Sequence, residues 1–334
     1  MDRPQQFAFA RESAGYAPLR RPGSIRRTTS IDSSWPSGLG EPWEMVGRAR
    51  DLLTPEQGDA VVLGTGGFKI LTSPIREIMR IEISPDHPRV QEMVGIRAGG
   101  ASRRALVSVL GDLQGTPTFQ LLDDFAGASL VAGWIWTRWR EGQASAPQRA
   151  AMQSLAGRNG VMDNICTGFT VGGTSLKPDG RPDNSNQSFA EVGPLENPDD
   201  PLGWHSMPFQ EGPKKRRARR IDLWREGGLI KVDAGFQDSG SNPEGRRSAL
   251  HEYRVFAEIE PETGKLAALQ ALPMILPYRE CPGASVKATR MVGANVEDFR
   301  DVVLETLPGT MGCTHLNDVL RALADVPALA RLLP

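Results

Sequence analysis

One pattern of charges occurs twice, and it limits the chain's architecture more than any other feature. Arg26-Arg27-Thr28-Thr29-Ser30-Ile31-Asp32, with Trp35 just beyond, returns as Arg216-Arg217-Ala218-Arg219-Arg220-Ile221-Asp222 with Trp224. Three further blocks follow both copies in the same order. Gly47–Asp51 answers to Leu229–Asp238, each ending in Asp. Ile78–Pro85 answers to Tyr253–Pro261, each alternating in the period-two manner of a half-buried strand. Arg104–Thr116 answers to Asp298–Thr310, each a helical pattern closed by a Gly-Thr turn that leads into another helix. Four blocks in one order point to an internal duplication. Strands come first in each half and helices later, so the expected class is α+β. Each half would be a small antiparallel sheet followed by helices, and the two would pack as a pseudo-two-fold pair that imitates a symmetric dimer.

The boundaries follow. Residues 1–24 are polar and aperiodic, and read as a flexible arm; 25–142 form the first half and 214–334 the second. Between them, 143–213 is a long irregular stretch carrying compact Cys166-Thr167-Gly168-Phe169 and Gly203-Trp204-His205 clusters. A loop of that length is usually functional, and it is expected to fold over the groove between the halves. Gly64-Thr65-Gly66-Gly67 lacks the Lys-Ser/Thr of a phosphate loop and the glycine spacing of a dinucleotide fold, so it reads as a hairpin turn. No nucleotide or flavin cofactor is expected.

With 334 residues and 39% hydrophobic content, the chain can bury two ordinary domain cores. Its formal net charge of −1 argues against a nucleic-acid partner. The basic run Lys214–Arg220 has no aromatic interleaving and reads as a solvated linker end, with Arg219 or Arg220 free to clamp a substrate carboxylate. Three cysteines, Cys166, Cys281 and Cys313, are too few for a disulfide framework and suit a reducing compartment. Met1–Gln6 has no apolar stretch of the signal-peptide kind. No apolar run approaches the ~20 residues of a membrane span. A cytoplasmic protein without membrane contacts is expected, with a homodimer as its candidate assembly.

The chemistry concentrates near the C-terminus. In Gly309-Thr310-Met311-Gly312-Cys313-Thr314-His315-Leu316, a thiol and an imidazole stand at the start of an apolar helical pattern, where free N–H groups and the dipole depress a thiol's pKa. The first half, aligned on its own Gly-Thr turn, has Thr118-Phe119-Gln120 there, so the scaffold alone does not require Cys313 and His315. Two readings stay open. Cys313 is a nucleophile with His315 as acid/base, although positions i and i+2 on a helix do not face each other. Otherwise His251, Cys281, Cys313 and His315 form a two-Cys, two-His set for zinc or iron. Cys166 and His205 on the central stretch would complete either site. The bland alternatives are a buried cysteine and a capping histidine. Asp123 and Asp124 point to different helix faces and read as structural. The small residues after them, Ala126, Gly127 and Ala128, signal close packing between the halves.

The segment from Arg219-Arg220-Ile221-Asp222-Leu223-Trp224 through His251 and Pro277-Tyr278-Arg279-Glu280-Cys281 to Gly312-Cys313-Thr314-His315-Leu316 resembles an uncharacterised bacterial family of unknown function. Gly-Cys-Thr-His-Leu is that family's hallmark. The resemblance spans roughly 216–325 and implies no activity. The expected function is a non-redox enzyme (hydrolase, lyase or isomerase) acting on a small organic acid or related catabolic intermediate. The alternative is a non-catalytic binding or assembly protein on a duplicated scaffold.

Overall fold

The computed structural model describes residues 12–38, 40–130, 134–135, 139, 160–209 and 211–334. The first eleven residues of the arm and 143–159 of the central stretch lie outside them. The N-terminal strands are β1 (Ser24–Ser34), β2 (Trp43–Thr54), β3 (Val61–Thr72) and β4 (Ile78–Ser84). Helices α1 (Gly100–Leu110) and α2 (Pro117–Ala128) follow. After the short strand β5 (Ala190–Val192) come β6 (Lys214–Glu226), β7 (Leu229–Ser241), β8 (Arg247–Ile259) and β9 (Leu266–Ile275). Helices α3 (Gly283–Lys287), α4 (Phe299–Thr306), α5 (Thr314–Ala322) and α6 (Val326–Ala330) close the chain. The class is α+β, as the order of strands before helices requires.

The strands form one antiparallel sheet, not two, in the order β4-β3-β2-β1-β6-β7-β8, with β8's outer edge shared between β5 and β9. The two copies of the repeated charge pattern are the adjacent central strands, paired from Ser24↔Trp224 to Ser34↔Lys214. The basic run is therefore no solvated linker end. Lys215, Arg217 and Arg219 are each 1% exposed, among the most buried side chains of the molecule. Burial of such cations is tolerable only with paired carboxylates, and alternation along the strand sends successive residues to opposite faces, where different carboxylates wait. Gly227 and Gly228, both at positive φ, turn β6 directly into β7, as a two-residue hairpin needs.

Three expectations give way. Gly64–Gly67 is not a turn but the middle of β3. A Cβ on Gly66 would stand 2.6 Å from Thr118 Oγ1 and 2.7 Å from its amide, so the glycines let the start of α2 approach the sheet. Tyr253–Ile259, matched in sequence to Ile78–Ser84, lies in the third strand of its set, β8, whereas Ile78–Ser84 is the fourth, β4. Counted from the helix caps Thr116 and Cys313, Thr118 rather than Gln120 stands where His315 stands.

The helices cover one face of the sheet. Two apolar cores form there, one around Met45, Phe68, Leu106, Phe119 and Phe125, the other around Leu223, Phe236, Val255, Phe299 and Leu316. Between them runs a seam of buried charge. Asp123 pairs with Arg321 at 2.8 Å and Asp124 with Arg219 at 2.6 Å, so the adjacent carboxylates of α2 are structural and both reach the C-terminal half. Gly127 lies against the Arg217–Asp318 pair so closely that no Cβ fits. The opposite face carries Arg26–Asp222 and Arg216–Asp32, both at 2.6 Å. It is covered by residues 12–20, held through Glu252 and Asp200, and by the stretch around Trp204.

Candidate functional site

The helix face of β7 and β8 meets the first turn of α5. Phe236 and Asp238 on β7 lie opposite Tyr253 and His251 on β8, and a register shift follows directly after Asp238. His315, in the first turn of α5, descends onto this patch. Its ring stacks on His251 with centroids 3.5 Å apart and planes 13° from parallel, and Phe236 flanks it at 6.3 Å. His315 Nε2 is 3.6 Å from Asp238 Oδ2. One ligand-type atom from each of Asp238, His251 and His315 falls within 4.8 Å of the others, and all three residues are buried.

Electrostatics keep both rings neutral. Burial pulls His315 down to about 4 against the raising effect of Asp238. Burial and the neighbouring His315 take His251 well below its ordinary value. Asp238 is the reverse case: burial alone would raise its pKa, yet Arg217 and Lys215 hold it far below the usual carboxylate range. Arg217 grips it with Nε at 3.1 Å and Nη2 at 2.8 Å, and Lys215 Nζ lies 3.4 Å away. Lys215 is brought down to about 8 by burial, partly offset by Asp238. His251 Nδ1 and His315 Nε2 are buried without a hydrogen-bond partner among the described residues. Buried polar atoms are rarely left so.

The cysteines make a separate cluster. Cys313 is the cap residue of α5, and its thiol faces the Tyr253 hydroxyl and the amides of His315 and Leu316. Burial raises its pKa in spite of those donors, which reverses the expected activation. Cys281 is raised well above its ordinary value and Cys166 to about 12, both first by burial. Cys166 and Cys281 converge on Gly168, where a Cβ would stand 2.6 Å from the Cys281 sulfur and 3.7 Å from that of Cys166. The four-residue metal set thus divides. His251 and His315 meet Asp238, while Cys281 and Cys313 group with Cys166 and Tyr253. The Cys313–His315 pair divides too, because the cap side chain and the first-turn side chain leave the helix in different directions.

The remaining candidates scatter. His205 lies on the opposite face from Cys166, between Ser30 Oγ at 2.8 Å and Thr28 Oγ1 at 2.9 Å, and burial lowers it to about 3. It is a satisfied core histidine. Arg220 also faces away from the helices and is held by Asp222 and Asp233. Arg219 faces the imidazoles' side and grips Asp124, but its Nη1 is buried and unpartnered among the described residues. Sequence reasoning missed Asp238. Its signal was the strand segment ending in Asp in both repeats: Asp51 is held by Arg27 as Asp238 is held by Arg217.

Residues 215–329 match a family described as a protein of unknown function (DUF2889). No curated protein and no solved structure matches the chain. Every residue of the imidazole–carboxylate cluster falls inside the matched segment.

Proposed function

We propose that this chain is a metal-dependent, non-redox small-molecule enzyme whose centre is Asp238, His251 and His315. The observation that carries the reading is the pair of neutral imidazoles, each with an unpartnered buried nitrogen, beside a carboxylate. Two histidines and one carboxylate suit zinc or iron, and three protein ligands leave a coordination position for water or substrate. A metal there would act as Lewis acid and water activator, the requirement of a hydrolase or lyase. Lys215 is the group that would release a proton when a dication arrives, because its hold on Asp238 weakens. The unpartnered Nη1 of Arg219, on the same face, favours an organic acid as substrate. The raised thiol pKa values speak against the nucleophilic alternative.

The test is metal content of the purified full-length chain by inductively coupled plasma mass spectrometry. Near-stoichiometric zinc or iron is expected, lost in His251→Ala and His315→Ala and retained in Cys281→Ser. A metal-free protein, or retention in both histidine variants, would overturn the reading. The second reading is a ligand-binding protein without catalysis. It is favoured by a cleft of about 510 Å³ lined by residues of the sheet's opposite face, and it takes over if no metal is found.

We also propose that the chain is an internal duplication with a pseudo-two-fold axis between β1 and β6. Support comes from the strand order, which reads outward alike on both sides of that junction, and from the reciprocal pairs Arg26–Asp222 and Arg216–Asp32.

A further inference from the structure

A cleft of about 510 Å³ opens on the face of the sheet away from the helices. That volume falls within the roughly 300–1,000 Å³ of ordinary small-molecule sites. Its walls are largely apolar, with Val192, Leu195, Met207 and Phe209 contributing. Phe209 is 81% exposed, an aromatic ring left to solvent at the cleft. Arg247, half-buried at the start of β8, supplies the charge. Its Nε and Nη2 make only long contacts, 3.3 Å, to Ser239, and among the described residues it has no ion pair. Every other buried arginine named above is matched to a carboxylate. Asp32, whose charge acts on Arg247, is committed to Arg216 and Arg48. Burial and then Arg216 bring Arg247 down to about 10 against the raising effects of Asp32 and Glu196, and it is still cationic at neutral pH.

We infer that the cleft binds a small aromatic monocarboxylate, its carboxylate on Arg247 and its ring against Phe209 and the apolar wall. A planar guanidinium suits a carboxylate. Arg247, in no ion pair among the described residues, offers one positive charge for one negative charge. Glu196 and Glu211, also lining the cleft, oppose a dianion such as a phosphate ester. The inference stands apart from the metal reading, since Asp238 points to the other face of β7.

Isothermal titration calorimetry of the full-length protein with benzoate, benzamide and phenyl phosphate tests it. Benzoate is expected to bind, with the neutral isostere benzamide and the dianion phenyl phosphate weaker by roughly tenfold or more. Arg247→Met, which keeps the apolar stem, should weaken benzoate roughly ten- to a hundredfold, with a melting temperature showing that the variant is folded. Phe209→Ser, at an exposed position, should weaken it several-fold. His315→Ala should leave it unchanged, which separates failure of this inference from failure of the metal reading. No benzoate binding, equal binding of benzamide, or tighter binding of phenyl phosphate would overturn it. So would unaltered benzoate affinity in a folded Arg247→Met variant.

Discussion

At the scale of single residues, neutrality is the common property of the buried histidines and cysteines. His315 and His205 have native pKa values near 4 and 3 against an ordinary 6.5, and His251 lies well below as well. Between pH 6.5 and 4 the unfolded chain therefore binds more protons than the native one, and stability must fall as the pH falls. Each histidine contributes a slope of about 1.4 kcal/mol per pH unit within its window. Glu252, raised by burial, works in the opposite direction and only near its own range. Denaturant midpoints taken across this interval should drop steeply, and less steeply in His205→Gln, which keeps hydrogen-bonding capacity without the titration. A flat profile would contradict the burial of these rings. The thiols give a second expectation. With all three pKa values raised, iodoacetamide at about pH 8 should leave the native cysteines unlabelled and modify all three in denaturant. Rapid native labelling of Cys313 would restore the nucleophile reading. The nearness of Cys313 and His315 in sequence was legible. Their divergence was not, because it depends on which side chain precedes the helix and which belongs to its first turn.

At the scale of elements, the chain conceals its centre behind polarity. A hydropathy reading of Lys214–Arg220 finds a surface segment, because the carboxylates that neutralise it lie far along the chain: Asp124 on α2, Asp238 on β7, Asp318 on α5. No local pattern signals such partners. The repeated wording did signal that the segment matters, and the strands-then-helices order gave the fold class. The Gly64–Gly67 run misled for a related reason, since its glycines serve the approach of a distant helix. Arg217 is where this arrangement is most exposed to mutation. It binds Asp238 and Asp318, at 2.8 Å each, inside the protein. Arg217→Met keeps most of the volume but leaves two buried carboxylates with weakened compensation. Breaking a buried pair from one side costs about 3–5 kcal/mol, so a loss of that order is expected in urea denaturation. Arg89→Met removes an exposed pair with Glu92 and should leave the urea midpoint nearly unchanged. Equal effects would mean that the buried network is not held as described.

At the scale of the whole molecule, the halves have separate apolar cores joined by one charged seam. The seam joining them is the full length of β1 against β6, together with Asp123–Arg321, Asp124–Arg219 and Arg27–Asp325 on the helix side. The family match at 215–329 begins at β6, so the matched segment alone would present that strand as an edge. Such an edge would carry unpaired backbone groups and strip Arg219 of Asp124 and Arg216 of Asp32. A second copy of the segment offers an incomplete remedy. If β6 paired with itself in the register it keeps with β1, Arg216 would meet the Asp222 of the other copy, in the manner of Arg26–Asp222 and Arg216–Asp32. On the other face Arg219 would stand opposite Arg219, where β1 supplies Thr29. Like charges directly opposed oppose pairing. Residues 214–334 expressed alone should therefore fail to form a folded monomer, and Arg219→Thr should promote its self-association, both visible in sedimentation velocity with circular dichroism. The intact chain should melt in one transition. A monomeric fragment with its own cooperative melt would show that the charged seam joins two independent domains instead of completing one.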